Sequence, residues 1–357
     1  MSIKNTALIF FTTRVTAIVA TGLLSTTLAV AQEAAPAPAP VLVKPTPLLQ
    51  EGRFVPGFGN EGIITARYTV KADGTTGDVE VLDGGFTNPF YENIIKQNVG
   101  KWTFAPGTVN GEARDFFNQE FTFRMRVSET LGVSEDVQKE LEALNKNISD
   151  KNFETAVDAT RNTLKKAHSV MDYALLNQML ATAYSGMNDP YAALEASKRA
   201  TQTAVNIGGT QDYMLTPALL QSALKQRLML AAAVRQQGEV LRTWEELDAL
   251  YDVPADDAVM QWVETARQQV AAPDQLSSLG KISENKHQTY VPVHRIFTVA
   301  DVREGKLDKV VAHCERRTLE LEYMEGVDWT LPASFGECKL DFRGDNGTLF
   351  SIYEFAQ

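Results

Sequence analysis

Two cysteines and four histidines carry most of the covalent or metal chemistry open to this chain of 357 residues. Cys314 and Cys338 form no Cys-x-x-Cys, so a redox couple is not indicated. An even cysteine count in an exported protein favours a disulfide; the alternative is two buried thiols. A bridge would close a loop of about 25 residues, worth on the order of 3 kcal/mol through lost chain entropy in the unfolded state. His287, His294 and His313 lie near Cys314 in sequence, but their spacings match no zinc pattern, and they read as surface or hydrogen-bonded histidines. Gly57-Phe58-Gly59-Asn60-Glu61-Gly62 spells G-x-G-x-x-G, yet it leads into strand-like sequence, where a phosphate would meet no helix N-terminus. No G-x-S-x-G, H-E-x-x-H or phosphate-binding loop occurs, and the carboxylates are scattered. The expectation is no catalytic residue, no cofactor and no metal.

The chain that must position these residues is long enough for two or three domains, and its 44% hydrophobic content is ordinary for a globular protein. A net charge of −11 argues against nucleic acid or an anionic membrane as the main partner. Lys4, an apolar run from Val15 to Ala31 and the ending Ala29-Val30-Ala31 make the pattern of a secretory leader, residues 1–31. Periplasmic export is therefore expected. Arg14 limits the uncharged run to about 17 residues, the low end for a bilayer span, so the alternative is a retained inner-membrane anchor facing the periplasm. The Ala-Pro-rich stretch that follows, counted to residue 50, reads as an extended linker. At about 3.1 Å per residue it reaches on the order of 50 Å.

From residue 51 to 130 the pattern is strand, strand, helix, strand. Ile64, Ala66, Tyr68 and Val70 alternate with polar residues as in a strand with one buried face. Asp73-Gly74 turns the chain, and Val79 and Val81 mark the returning strand. Asn88 and Pro89 suit a helix start, after which Tyr91, Ile94, Ile95, Val99 and Trp102 make an apolar stripe ending near Gly100. A last strand places Phe117, Gln119, Phe121, Phe123 and Met125 on one face. Phe116, Asn118, Glu120, Thr122, Arg124 and Arg126 take the other, expected to face solvent.

Asp73-Gly74, the Val79–Leu82 strand, the Phe90–Val99 helix, Trp102-x-Phe104-x-Pro106-Gly107 and Asn110-Gly111 together resemble the C-terminal domain of TonB and TonB-like periplasmic proteins. The resemblance covers about 65 residues, and it departs from the family at the first strand, where FVPGFGNEG replaces the usual Tyr-Pro-x-x-Ala entry. It implies an α+β domain whose outer strand accepts an extended partner by strand addition. Main-chain hydrogen bonds then supply affinity and alternate side chains selectivity. The matching side chains are Phe116, Asn118, Glu120, Thr122, Arg124 and Arg126; a plain solvated face is the alternative. An energy transducer of this family would carry a Ser and a His on its anchor, and this leader has no His.

Residues 134–272 switch to a helical period. Ala181, Tyr184, Ala193 and Ala200 stand where tetratricopeptide repeats need small or aromatic residues, so Leu176–Ala204 resembles one such repeat. Leu144–Leu164 and Leu219–Leu250 resemble weaker copies, the last out of register after GGTQDYMLTP; an irregular helical bundle is the alternative. Residues 279–357 alternate again, and Gly344-Asp345-Asn346-Gly347 between CKLDFR and TLFSIYEF signals a hairpin in a small β-rich domain.

The expected whole is α+β: a small antiparallel sheet with one helix, an all-α repeat block, then a disulfide-clamped β domain. The expected function is a non-catalytic periplasmic scaffold of a Gram-negative envelope, binding envelope proteins by strand addition and through a helical groove. The alternatives are an anchored TonB-type transducer coupled to an outer-membrane receptor, and a hydrolase hidden in the last domain.

Overall fold

The computed structural model describes residues 41–49, 61–82, 89–125, 132–205, 211–272, 275–283 and 286–356. Among them the class is mixed α/β, with eight α-helices and several small antiparallel sheets and no barrel. The expected leader, the G-x-G-x-x-G stretch up to Asn60, Asn88 and Arg126 lie outside the described residues.

The end of the expected linker is not free. Leu42–Val43 (β1) and Thr46–Leu49 (β2) are short antiparallel strands that extend the part that follows. Pro47 is tolerated because β2 pairs on one side only, with Thr103–Ala105 (β5). Between these come Gly62–Val70 (β3), Thr76–Val81 (β4) and Pro89–Val99 (α1). Thr108–Val109 (β6) lies between β1 and Glu112–Ala113 (β7), and Phe116–Met125 (β8) completes this part.

The main sheet has the order β4-β3-β8, with α1 on one face. Tyr91, Ile95 and Val99, spaced four apart, meet Ile64, Ala66, Tyr68 and Val70 there. Trp102 stands edge-on to Phe121 and Tyr68, ring centroids 5.2 and 5.9 Å away, in geometries aromatic quadrupoles favour. Gly74 turns the β3–β4 hairpin at φ +83°. A Cβ there would lie 2.2 Å from the Phe104 carbonyl oxygen, so the position requires glycine.

The second part comprises Glu135–Ser149 (α2), Phe153–Leu164 (α3), Val170–Gly186 (α4), Pro190–Ala200 (α5), Pro217–Ala233 (α6), Gln237–Leu250 (α7) and Met260–Ala271 (α8). Ser169 and Asp172 form a capping box at α4, and Asp189 caps α5 with Pro190 in its first turn. Ala181, Ala193 and Ala200 are fully buried, and such small side chains let α4 and α5 approach closely. The block is not wholly helical: Thr203–Val205 (β9) and Gln211–Tyr213 (β10) form a hairpin between α5 and α6, at the insert that breaks the expected register. Buried Glu239 ties α7 to α6 through Arg227 at 2.6 Å. Burial works against its charge, but Arg227, Lys198 and Arg242 hold its carboxyl well below the usual range.

The last part is a pair of four-stranded sheets sharing one core. Its strands are Leu276–Lys281 (β11), His287–Tyr290 (β12), Ile296–Arg303 (β13), Leu307–Cys314 (β14), Arg317–Glu322 (β15), Trp329–Thr330 (β16), Cys338–Gly344 (β17) and Leu349–Phe355 (β18). The sheet orders are β11-β18-β13-β16 and β12-β17-β14-β15. Phe342 of one sheet meets Phe350 of the other with ring centroids 4.9 Å apart. The expected β17–β18 hairpin is therefore corrected: Gly344–Gly347 carries the chain from one sheet to the other. Turn residues mark a reversal of direction but do not fix which neighbour a strand pairs with. Cys314 and Cys338 face each other across β14 and β17 and form the disulfide.

Candidate functional site

Of the side chains expected to read a partner along β8, the five that are described do not form a solvated face: Phe116 is buried, and Asn118, Glu120, Thr122 and Arg124 are half-buried. Asn118 adopts φ +52°, and the β3–β8 register shifts between Tyr68–Gln119 and Val70–Phe116. This bulge reverses the strand's alternation, so Phe116 joins the core face and is fully buried beneath α1's partners. The other face packs against the rest of the molecule. Asn118 Nδ2 donates to the Cys314 carbonyl at 2.7 Å and to Thr318 at 3.0 Å. Thr122 and Thr65 share a hydroxyl bond of 2.8 Å, with Gln202 Nε2 donating to Thr65 at 3.1 Å. Arg124 donates to the Tyr213 carbonyl at 2.6 Å. The Phe117 N–H, on the strand's main chain, donates to the Glu315 carbonyl at 2.6 Å. Period-2 reading assumed a lone domain in water; here two further parts cover that face.

At this seam lies a cleft of about 760 Å³ between β8, α7 and the second sheet of the last part. Glu120 is its central charge, bonded to Arg67 at 3.1 Å and to Lys339. Burial pushes its carboxyl up, but Lys339 and Arg67 outweigh that and hold it below the ordinary range. His313 has neither ring nitrogen hydrogen-bonded; burial, then the positive charge of Arg67, lowers its pKa to about 4. It is neutral at pH 7. His294 lines the same cleft, its backbone held by Glu354, whose carboxylate accepts the N–H groups of Val293 and His294 at 2.6 and 2.7 Å. His287 lies elsewhere on the same sheet, 3.0 Å from Asp341. Among the described residues no group of three or more His, Cys, Asp and Glu is placed to hold a metal ion. What the cleft does is fix charge, with Glu120 held between Arg67 and Lys339.

A second concavity, of about 560 Å³, is walled by α3, α4 and α5 and closed by Lys281, Ile282 and the 346–347 turn of the last part. Tyr173, Asn177 and Tyr184 follow one another along one face of α4, at i, i+4 and i+11. Asn177 is fully buried, donates to the Tyr173 carbonyl at 2.8 Å and accepts from Arg199 Nε at 2.8 Å. That contact steadies the guanidinium of Arg199, which lines the groove and makes no other side-chain hydrogen bond among the described residues. Arg161 donates to the Tyr184 hydroxyl at 2.6 Å and lies over its ring. Tyr173 is pushed up to about 12 by burial, which Arg199 opposes, so it stays a neutral wall. Lys281 pairs with Asp189 at 2.7 Å and tethers the lid to α5.

Of these groove residues the sequence reading singled out only Tyr184. The α4 stripe was available as a helical-spacing pattern of tyrosine and asparagine, with Ala181 four residues after Asn177. Arg161, Arg199 and the lid carried no such signal, because the fold alone brings them together. No protein-family model and no curated protein matches this chain.

Proposed function

We propose that this chain is a non-catalytic binding scaffold of a Gram-negative envelope, working in the periplasm and holding a partner's peptide segment in the α3–α5 groove. The observation that carries this reading is the groove itself: tyrosines give flat contact area, and Arg199 offers a planar fork to a carboxylate. A C-terminal carboxylate or an acidic side chain on an otherwise apolar segment would match it. The tetratricopeptide reading is supported by three consecutive helix pairs, α2–α3, α4–α5 and α6–α7, with alanine at the α4–α5 contact. The TonB-like reading of residues 51–130 is supported by the β4-β3-β8 order with one helix on it. Strand addition along β8 is the lesser element, since Phe117 already spends its N–H on Glu315. Export is supported by the leader pattern and by the Cys314–Cys338 bridge, which an oxidising compartment would sustain.

The test is a photo-crosslinking residue in place of Tyr191, on the groove wall, in the full chain expressed in its own cells. A discrete adduct is expected, and Arg199→Ala should reduce its yield about tenfold, the loss of one charge-assisted bidentate contact. Equal adducts from a crosslinker at exposed Met324, or no effect of Arg199→Ala, would sink the groove as the binding surface.

A further inference from the structure

Three arginines gather where the first part meets the last, in a chain of net charge −11. Arg114 follows β7, Arg316 lies in the β14–β15 turn and Arg317 opens β15. The depression between them, about 680 Å³, is also lined by Phe117, Phe335 and the hydroxyl of Ser334. Arg114 pairs with Glu112, an exposed neighbour two residues away. Neither Arg316 nor Arg317 has a carboxylate within ion-pairing distance among the described residues. Their guanidinium groups lie over rings instead, Arg316 above Phe116 at 4.8 Å and Arg317 above Phe335 at 5.8 Å. Arg316 Nη1 is buried and has no hydrogen-bond partner. Burial and the charge of Arg114 both disfavour its protonated form, with nearby Asp115 opposing them. A buried guanidinium N–H without a partner, with the like charge of Arg114 near it, is a costly arrangement that added negative charge would offset.

We propose that this depression binds a phosphate group carried on an apolar body. A carboxylate is planar and matches one fork; three guanidinium groups arriving from separate positions suit a tetrahedral dianion whose oxygens point in several directions. Phe117, Phe335 and Val109 give the apolar body its contact. The rings beneath Arg316 and Arg317 hold the forks in place before the anion arrives, so little side-chain entropy is lost on binding. The site is separate from the α3–α5 groove and does not depend on it.

Calorimetric titration of the full mature chain with phenyl phosphate, inorganic phosphate and phenol tests this directly. Phenyl phosphate should bind, inorganic phosphate about tenfold more weakly for want of the ring contact, and phenol not measurably. Arg317→Gln, at an exposed position, should weaken phenyl phosphate about tenfold, and Arg316→Lys should do so while keeping the cation over Phe116. Circular dichroism checks that both variants fold. Co-sedimentation with phosphatidylcholine vesicles doped with phosphatidic acid identifies the source. Retention that phenyl phosphate displaces points to a lipid headgroup, and binding in solution alone points to a free phosphate monoester. No binding of phenyl phosphate at millimolar concentration, or equal binding by both variants, overturns the site.

Discussion

Glu120 holds two cations from different parts of the chain, Arg67 beside it in the sheet and Lys339 across the seam. Removing a carboxylate so placed leaves Arg67 partly buried without its main counter-charge. Glu120→Gln should cost about 2 kcal/mol in urea unfolding, discounted because Lys339 is nearly half exposed. His313 supplies the pH dependence. Its folded pKa, about 4, lies below its ordinary value of 6.5, so the unfolded chain binds more protons between those limits. Its contribution to stability is complete above pH 6.5 and is lost as pH falls toward 4. Glu120, Glu239 and Asp341, all held low, act at more acid pH, since their contributions decline only below the ordinary carboxylate range. Melting temperature should therefore already fall between pH 6.5 and 5, and His313→Asn should flatten that slope; an unchanged slope would show that His313 is not desolvated. The histidine, the glutamate and their residue types were in plain view in the sequence, but no spacing rule joins residues 67, 120, 313 and 339.

The β8 bulge is the element-scale feature on which the position of the first part depends. Asn118 tolerates a left-handed backbone and uses its amide to reach Cys314 and Thr318. Asn118→Val combines a forbidden φ with two lost hydrogen bonds and should cost about 3 kcal/mol, whereas Asn118→Gly keeps the backbone and should cost about 1. Equal losses in chemical denaturation would show that the bulge does not matter. The Cys314–Cys338 bridge joins neighbouring strands β14 and β17 near the same contact. Reduction should lower stability by about 3 kcal/mol, the loop-closure entropy of 24 intervening steps, and the fall in melting temperature measures it. Strand and helix periods were legible because each is local. The bulge was not, since a single residue in the left-handed region reverses every side chain before it without altering composition.

At the scale of the whole molecule, the three parts are interlocked. Ile63 of β3 is fully buried in the core of the helical block, and Glu61 reaches Val170 N–H at 2.9 Å at the start of α4. Lys44, in the former linker, bonds Glu315 at 2.8 Å in the last part. Ile63→Asp should therefore loosen the first part from the helices and split a single calorimetric transition into two, while Ile64→Asp should unfold the first part itself. One transition shared by the wild type and the Ile63 variant would mean that the parts are not coupled through that contact.

Hydrophobic period and turn residues by themselves determined the mixture of helices and small antiparallel strands, the Asp73–Gly74 turn and the core-facing set Ile64, Ala66, Tyr68 and Val70, and counting pointed to the cysteine pair, because all of these follow from local spacing or from composition. Only the tertiary structure decided that the polar side chains of β8 are half-buried against other parts of the chain, that 344–347 passes between two sheets, and that Lys281, Ile282 and the 346–347 turn border the α3–α5 groove. These depend on contacts between residues distant along the chain, such as Asn118 with Cys314, Lys281 with Asp189 and Arg199 with Asn177. Such contacts leave no trace in local spacing because their partners are chosen by packing.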